Sequence, residues 1–250
     1  MKPTYILYLC VWLWSHAFAA ETSVERDLTA EFGSYSGAFT LYDEAQQRWL
    51  RYQPEQCRIR SSPCSTFKIL NSLIALETGV ASGADFTLPW DGTRRSIASW
   101  NQNQTLRSAF SSSCVWYYQA LATRIGLERY HQIIPKVGYG NNDLKGGVTQ
   151  FWLQSSLTIS PDEQVDFLRR LHARRLPFAA KSVDTVLDIM TLSQAGRRFF
   201  EARPEVPSTR KGTSRNLVGS SVACPHRQVF IFLLPASPVA RTLPALPPAR

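Results

Sequence analysis

A chain of 250 residues with 44% hydrophobic and 19% charged residues has an ordinary globular composition, which excludes a disordered or fibrous protein. That length can bury one substantial core, or a core split between two packed lobes. Net charge is +9 and arginine-rich, yet no basic stripe with interleaved aromatics accompanies it, so no nucleic-acid partner is expected.

Lys2, the apolar run Tyr5 to Trp14 and the small-x-small triplet Ala17-Phe18-Ala19 read as a signal peptide, residues 1–19, cut after Ala19 or Ala20. The run is shorter than the roughly 20 apolar residues that span a bilayer. The mature chain is therefore expected to be secreted or periplasmic, without a membrane anchor. Cys10 lies in the leader, and Leu9 before it is not the small residue a lipoprotein anchor needs. Cys57, Cys64, Cys114 and Cys224 remain, and spacing does not decide their pairing, a local Cys57–Cys64 bridge included. Neither these cysteines nor His131, His172 and His226 have metal-ligand spacing, so no metal is expected.

Gly37 to Tyr42 and Arg48 to Tyr52 read as a hairpin around the polar turn Asp43 to Gln47. From Ser65 to Thr78 the apolar residues Phe67, Ile69, Leu70, Leu73, Ile74 and Leu76 cover most of a helix surface, with Gly79 as the stop. A helix apolar nearly all round belongs in the middle of a protein. Further helices are predicted from Val115 to Ile125, and from Leu127 to Ile134 with Pro135 ending it. Val137 to Val148 is a glycine- and asparagine-rich loop. Ser160-Pro161-Asp162-Glu163 carries a capping serine, a first-turn proline and a glutamate three residues after the cap, opening another helix. Ser182 to Leu192 is helical, and strand-like runs return at Arg215 to Ala223 and Gln228 to Leu234. The order hairpin, helices, strands implies an α+β fold with an antiparallel sheet. Residues 20–60 with 181–250 would form the sheet lobe and 61–180 the helical lobe, with the active site between them.

Ser65-Thr66-Phe67-Lys68 opens the buried helix. Residues three apart share a helix face, so the Lys68 nitrogen is expected within reach of the Ser65 hydroxyl. A serine needs a base to become a nucleophile, and burial lowers a lysine's pKa enough to make it one. The helix N-terminus adds free N–H groups suited to an oxyanion. The spacing alone is weak, because a serine three residues before a lysine arises by chance. Three further elements follow in order: Ser113-Cys114-Val115, Tyr139-Gly140-Asn141, and Phe151 to Ser156 around Trp152. Each by itself has an ordinary structural explanation.

Taken together, the S-T-F-K element, Ser113-x-Val115, Tyr139-Gly140-Asn141 and the tract Trp152 to Ser160 resemble the class D serine β-lactamases. Trp90-Asp91-Gly92 and Asn101 to Phe110 add to the resemblance, which covers about Gly37 to Arg198. It implies the serine β-lactamase and penicillin-binding transpeptidase-like fold and hydrolysis of a β-lactam amide. The nucleophile would be Ser65, the general base Lys68 as a CO2-derived carbamate, and the proton relay Ser113. Val115, Trp152, Phe67 and Leu153 would surround the carbamate. Tyr139, Asn141, Lys211 and Thr213 would bind substrate, with no separate cofactor. The resemblance leaves open the drug subclass and whether the chain is a monomer or homodimer.

After Arg203 the pattern changes. Eight of the fifteen prolines fall at Pro204 or later. The family's Lys-Thr-Gly strand has only Lys211-Gly212-Thr213 as an equivalent, with hydroxyl and glycine transposed, and Arg241 is the nearest counterpart of its carboxylate-binding arginine. Divergence and a frame disturbance both account for this. A penicillin-binding sensor domain and an inactive relative therefore stand beside the hydrolase as alternatives.

Overall fold

The computed structural model describes residues 21–33, 36–153, 155–190, 218–224 and 227–234, the last two segments as backbone. The expected leader, Lys211, Thr213 and Arg241 lie outside the described residues.

Strand β1 (Thr22–Glu25) and the one-turn helix α1 (Thr29–Phe32) precede the hairpin of β2 (Gly37–Asp43) and β3 (Arg48–Tyr52). The hairpin turn forms because the Asp43 carboxylate accepts from the N–H groups of Ala45 and Gln46, at 3.0 and 3.1 Å. Along β2 alternate residues Ala38, Thr40 and Tyr42 point inward and are buried, the period of two expected of a sheet covered on one face. A short helix α2 (Pro54–Cys57) leads into a 3-10 turn, Cys64–Thr66, and directly into α3 (Phe67–Glu77). A two-stranded ribbon of β4 (Thr87–Leu88) and β5 (Gln104–Thr105) follows. Next come α4 (Leu106–Ser111), α5 (Val115–Ile125), α6 (Leu127–Val137), α7 (Pro161–His172) and α8 (Ala180–Met190). Strands β6 (Val218–Cys224) and β7 (Arg227–Leu234) complete the described chain.

The main sheet runs β1-β3-β2-β7-β6. N- and C-terminal strands close one sheet, as the element order implies, but the sheet is mixed instead of antiparallel throughout. The pairs β2–β3 and β6–β7 are antiparallel, whereas β1–β3 and β2–β7 are parallel. Only adjacent strands joined by a short turn are forced to reverse. The whole helical segment separates β2 from β7, and such a crossover permits a parallel pair.

Helix α3 is the central element. Phe67, Ile69, Leu70, Leu73, Ile74 and Ala75 are all buried, and α5 and α8 pack against it. Its two buried polar residues are answered from neighbouring helices. The Tyr130 hydroxyl donates to Asn71 Oδ1 at 2.7 Å, and Ser72 shares a 3.0 Å bond with the Tyr118 hydroxyl. Helix α7 lies against the sheet at β2 and β7, where Asp162 accepts from Thr40 at 2.9 Å and from Arg51 at 3.0 Å.

Pro135 does not end α6, contrary to the reading from its position. It sits in the last turn, where its missing N–H sacrifices one intrahelical bond, and the helix continues to Val137. Gly138 ends it instead, at φ 63° with its N–H donating to Ile134 O. The Ser160 cap forms as its sequence pattern implies. Its hydroxyl accepts from Glu163 N–H at 3.2 Å, and the Glu163 carboxylate accepts from Ser160 N–H at 2.8 Å. Ser160→Ala should therefore lower unfolding free energy by about 1 kcal/mol, measured by urea denaturation; an unchanged midpoint would deny the cap a role.

Candidate active site

Ser65 stands in the 3-10 turn that opens α3, and Ser113 stands at the corner between α4 and α5. Their hydroxyl oxygens are 2.8 Å apart. Both hydroxyls are presented by sharply bent backbone: Cys64, just before Ser65, has φ 45°, and Ser113 itself has φ 54°. Non-glycine residues in this left-handed region cost about 1–3 kcal/mol where the surroundings enforce it. Here the surroundings are specific. Cys64 N–H donates to the Trp152 carbonyl at 3.0 Å, and the Ser62 hydroxyl donates to the same oxygen at 2.8 Å. Ser113 N–H donates to Phe110 O at 3.2 Å.

The Lys68 amine follows one turn after Ser65. It donates to Phe110 O at 3.0 Å and lies 4.9 Å from the centre of the Phe110 ring. Burial removes water from the ammonium form and pushes its pKa down to about 7, against a weak opposing effect of the nearby Cys114 thiol. The sequence spacing suggests a direct Ser65–Lys68 contact. The structure hydrogen-bonds Ser65 to Ser113 and Lys68 to a carbonyl at the end of α4, so three segments meet at one corner. Phe110 carries no sequence signal for this role, because any residue supplies a carbonyl.

An aromatic cage backs the Ser65 turn. Phe67 stacks on Trp152 at 5.4 Å and meets Phe151 edge-on at 5.2 Å and Tyr139 at 5.8 Å. Phe67 and Trp152 are buried, while Val115 and Leu153 are half-buried.

The chain that brings a serine, a second hydroxyl and a lysine of lowered pKa to this corner has known relatives. The family model for the penicillin binding protein transpeptidase domain matches residues 34–208. The chain is 36% identical over 200 residues to β-lactamase OXA-2 from Salmonella typhimurium, covering 78% of this chain and 72% of that one. It is 41% identical over 169 residues to the probable β-lactamase YbxI of Bacillus subtilis. That match covers 68% of this chain and 63% of the relative, less than two thirds of its length. The class D β-lactamase crystal structure from Bacillus subtilis superposes with a TM-score of 0.68 at 36% identity, covering 78% of this chain and 76% of that one. The C-terminal domain of the Bacillus licheniformis BlaR penicillin-receptor gives 0.70 at 30% identity, covering 81% and 76%. The chain belongs to the class D β-lactamase family.

The relatives named β-lactamases are hydrolases of cyclic amides, and the corner formed by Ser65, Lys68 and Ser113 lies inside the matched part of this chain. Two expected substrate contacts are otherwise placed. Tyr139 is fully buried between Phe67 and Phe167, so its ring offers no surface to a ligand. Asn141 is exposed, but its side chain donates to Ser156 O and accepts from Thr158 N–H, both at 2.9 Å. Gly140 between them has φ 61°, and a Cβ there would fall 2.0 Å from Thr158 O. The Tyr139-Gly140-Asn141 element thus ties its loop to the segment after Trp152 instead of lining the cleft. Only glycine allows that approach.

The described cysteines Cys57, Cys64 and Cys114 form no disulfide with one another, so no Cys57–Cys64 bridge forms. Cys57 donates to Phe39 O at 3.3 Å, and burial pushes its thiol up to about 12, which makes it inert packing.

The lysine's shift has a sign that can be measured. Between about 7 and its ordinary 10.5 the unfolded chain holds the Lys68 proton and the folded chain does not, so folding stability rises with pH across that window. Lys68→Met should remove this rise from pH 7 to 9.5 and be the more stable protein near pH 7. Denaturant midpoints across that range check it, and parallel curves for both proteins would refute the buried, shifted amine.

Proposed function

We propose that the chain hydrolyses the amide bond of β-lactam antibiotics through an acyl-enzyme on Ser65. The observation that carries the reading is the Ser65 hydroxyl held at 2.8 Å from Ser113, one helical turn from an amine whose pKa is about 7. The Ser65 oxygen attacks the lactam carbonyl carbon as a base at Lys68 takes its proton. The Ser65 N–H, in an opening turn where helical donors lack intrahelical acceptors, donates to the oxyanion. The carbon–nitrogen bond then breaks, Ser113 passes a proton to the leaving nitrogen, and an ester remains on Ser65. Water attacks that ester, the same base takes its proton, and the opened product leaves with Ser65 restored.

The Lys68 surroundings suit a CO2-derived carbamate, because only a neutral amine adds to CO2 and burial, by lowering the pKa to about 7, gives this one a large neutral fraction at neutral pH. Such a group supplies a carboxylate-like base for both proton transfers. Phe67 and Trp152 are buried beside the Ser65 turn, which supports a dry surround for it, and an indole N–H such as that of Trp152 is the donor type a buried carbamate needs. Val115 and Leu153 are proposed to complete that surround. Lys211 and Thr213 are proposed to bind the substrate's carboxylate end. Export by the N-terminal leader would place the enzyme in the periplasm. No helix among the described residues is long and apolar enough to cross a membrane.

The likeness to the BlaR penicillin-receptor domain favours one second reading, a sensor in which the Ser65 ester persists. Mixing purified protein with a chromogenic cephalosporin, while following colour and covalent mass, separates the two. Hydrolysis predicts repeated turnover and a transient adduct that Ser65→Ala abolishes. A stoichiometric, lasting adduct would replace the hydrolase by the sensor, and neither signal would leave an inactive relative.

Bicarbonate should restore turnover lost in CO2-stripped buffer, and rates indifferent to it would remove the carbamate from the reading. Trp152→Phe should slow release of the acyl-enzyme by about tenfold or more while leaving its formation less affected. Mass spectra over time measure this, and an unchanged adduct lifetime would deny Trp152 its role.

A further inference from the structure

Behind the Ser65 turn lies a buried polar pair that takes no part in the chemistry above. Tyr139 and Gln164 have almost no exposed surface, and the Tyr139 hydroxyl donates to Gln164 Oε1 at 2.6 Å. The same phenol lies beside the Thr66 side chain, whose hydroxyl donates to Pro63 O at 2.7 Å. The Tyr139 ring meets Phe67 edge-on at 5.8 Å and Phe167 at 5.1 Å. One tyrosine therefore touches both residues that follow Ser65, and Gln164 fixes that tyrosine from α7.

The other end of the Gln164 amide is unusual. Its Nε2 is buried and has no hydrogen-bond partner among the described residues. A buried donor left unmet lowers stability, and a methionine of similar size would avoid that penalty. An amide at this point answers the Tyr139 hydroxyl, which an apolar side chain of the same size would leave without that partner.

We propose that Gln164 is a positioning residue for the nucleophile: its Oε1 sets the direction of the Tyr139 hydroxyl, and Tyr139 holds Thr66 and Phe67 so that Ser65 stays aligned with Ser113. The inference rests on the reading of Ser65 as the nucleophile. Reaction rates are steeply sensitive to such alignment, because a small displacement of a reacting atom removes much of the benefit of holding it in place.

The test compares Gln164→Met, Tyr139→Phe and the double variant with the wild type. Three quantities are read: the single-turnover acylation rate with a chromogenic cephalosporin, its dissociation constant before acylation, and the melting temperature. Each single variant should acylate about tenfold more slowly with binding changed less than twofold. The double variant buries no unmet polar group, so its melting temperature should return close to wild type. Its acylation should nonetheless stay as slow as in either single variant, since both residues act through one link. Acylation that follows melting temperature across the set, or stays at the wild-type rate, overturns the proposal. A wild type that forms no adduct on Ser65 sinks the reading of function instead. In that event amide hydrogen exchange over residues 63–67 still decides the link: faster exchange in Gln164→Met than in the wild type supports it, and equal exchange overturns it.

Discussion

Keeping one amine out of water is the constraint on which the rest of this structure depends. The Lys68 pKa falls to about 7 because the amine lies on a helix enclosed by other helices, with an aromatic ring and a carbonyl in place of solvent. That requires α3 to be central, and α3 is central because nearly all of its surface is apolar. Such a helix cannot rest on the outside of a sheet. It needs α5 and α8 around it, and its polar residues need partners there, which Tyr130 and Tyr118 provide.

The enclosure leaves the opening turn of α3 as the place where the chain meets a ligand. Two hydroxyls are brought together there by two strained residues, Cys64 braced by a backbone hydrogen bond to Trp152 and Ser113 by one to Phe110 in the preceding turn. Strain of this kind persists only where neighbouring structure over-determines it. The Trp152 carbonyl, the Phe67 cage and the loop tied down through Gly140 and Asn141 supply that determination. A rigid scaffold, a basic amine and a paired hydroxyl are thus consequences of one packing arrangement.

The family match covers this corner and the β2–β3 hairpin of the sheet, but not its strands β6 and β7. The residues that form the corner fall between Ser62 and Ser160, inside the part of the chain matched by the transpeptidase-domain model. The atypical stretch after Arg203 contributes β6 and β7, which complete the sheet through backbone pairing. Backbone pairing tolerates changes in side chain that a substrate pocket does not, so strands are formed there even though the Lys-Thr-Gly pattern is altered.

Local features were legible from the residues alone. The hairpin, the apolar α3, the bounds of α5 and the Ser160 cap are set by period, turn chemistry and capping, all of which act within a few neighbours. Ser65 and Lys68 on one helix face also followed from spacing. Tertiary structure alone decided that Ser65 would pair with Ser113, 48 positions away, and that Lys68 would turn to the carbonyl of Phe110. It also decided that Tyr139 would serve the core, that β2 and β7 would run parallel, and that Gln164 would stand behind the Ser65 turn. Carbonyl acceptors are common to every residue, and long-range pairings leave no mark on the nearby pattern, so only the packed chain specifies them.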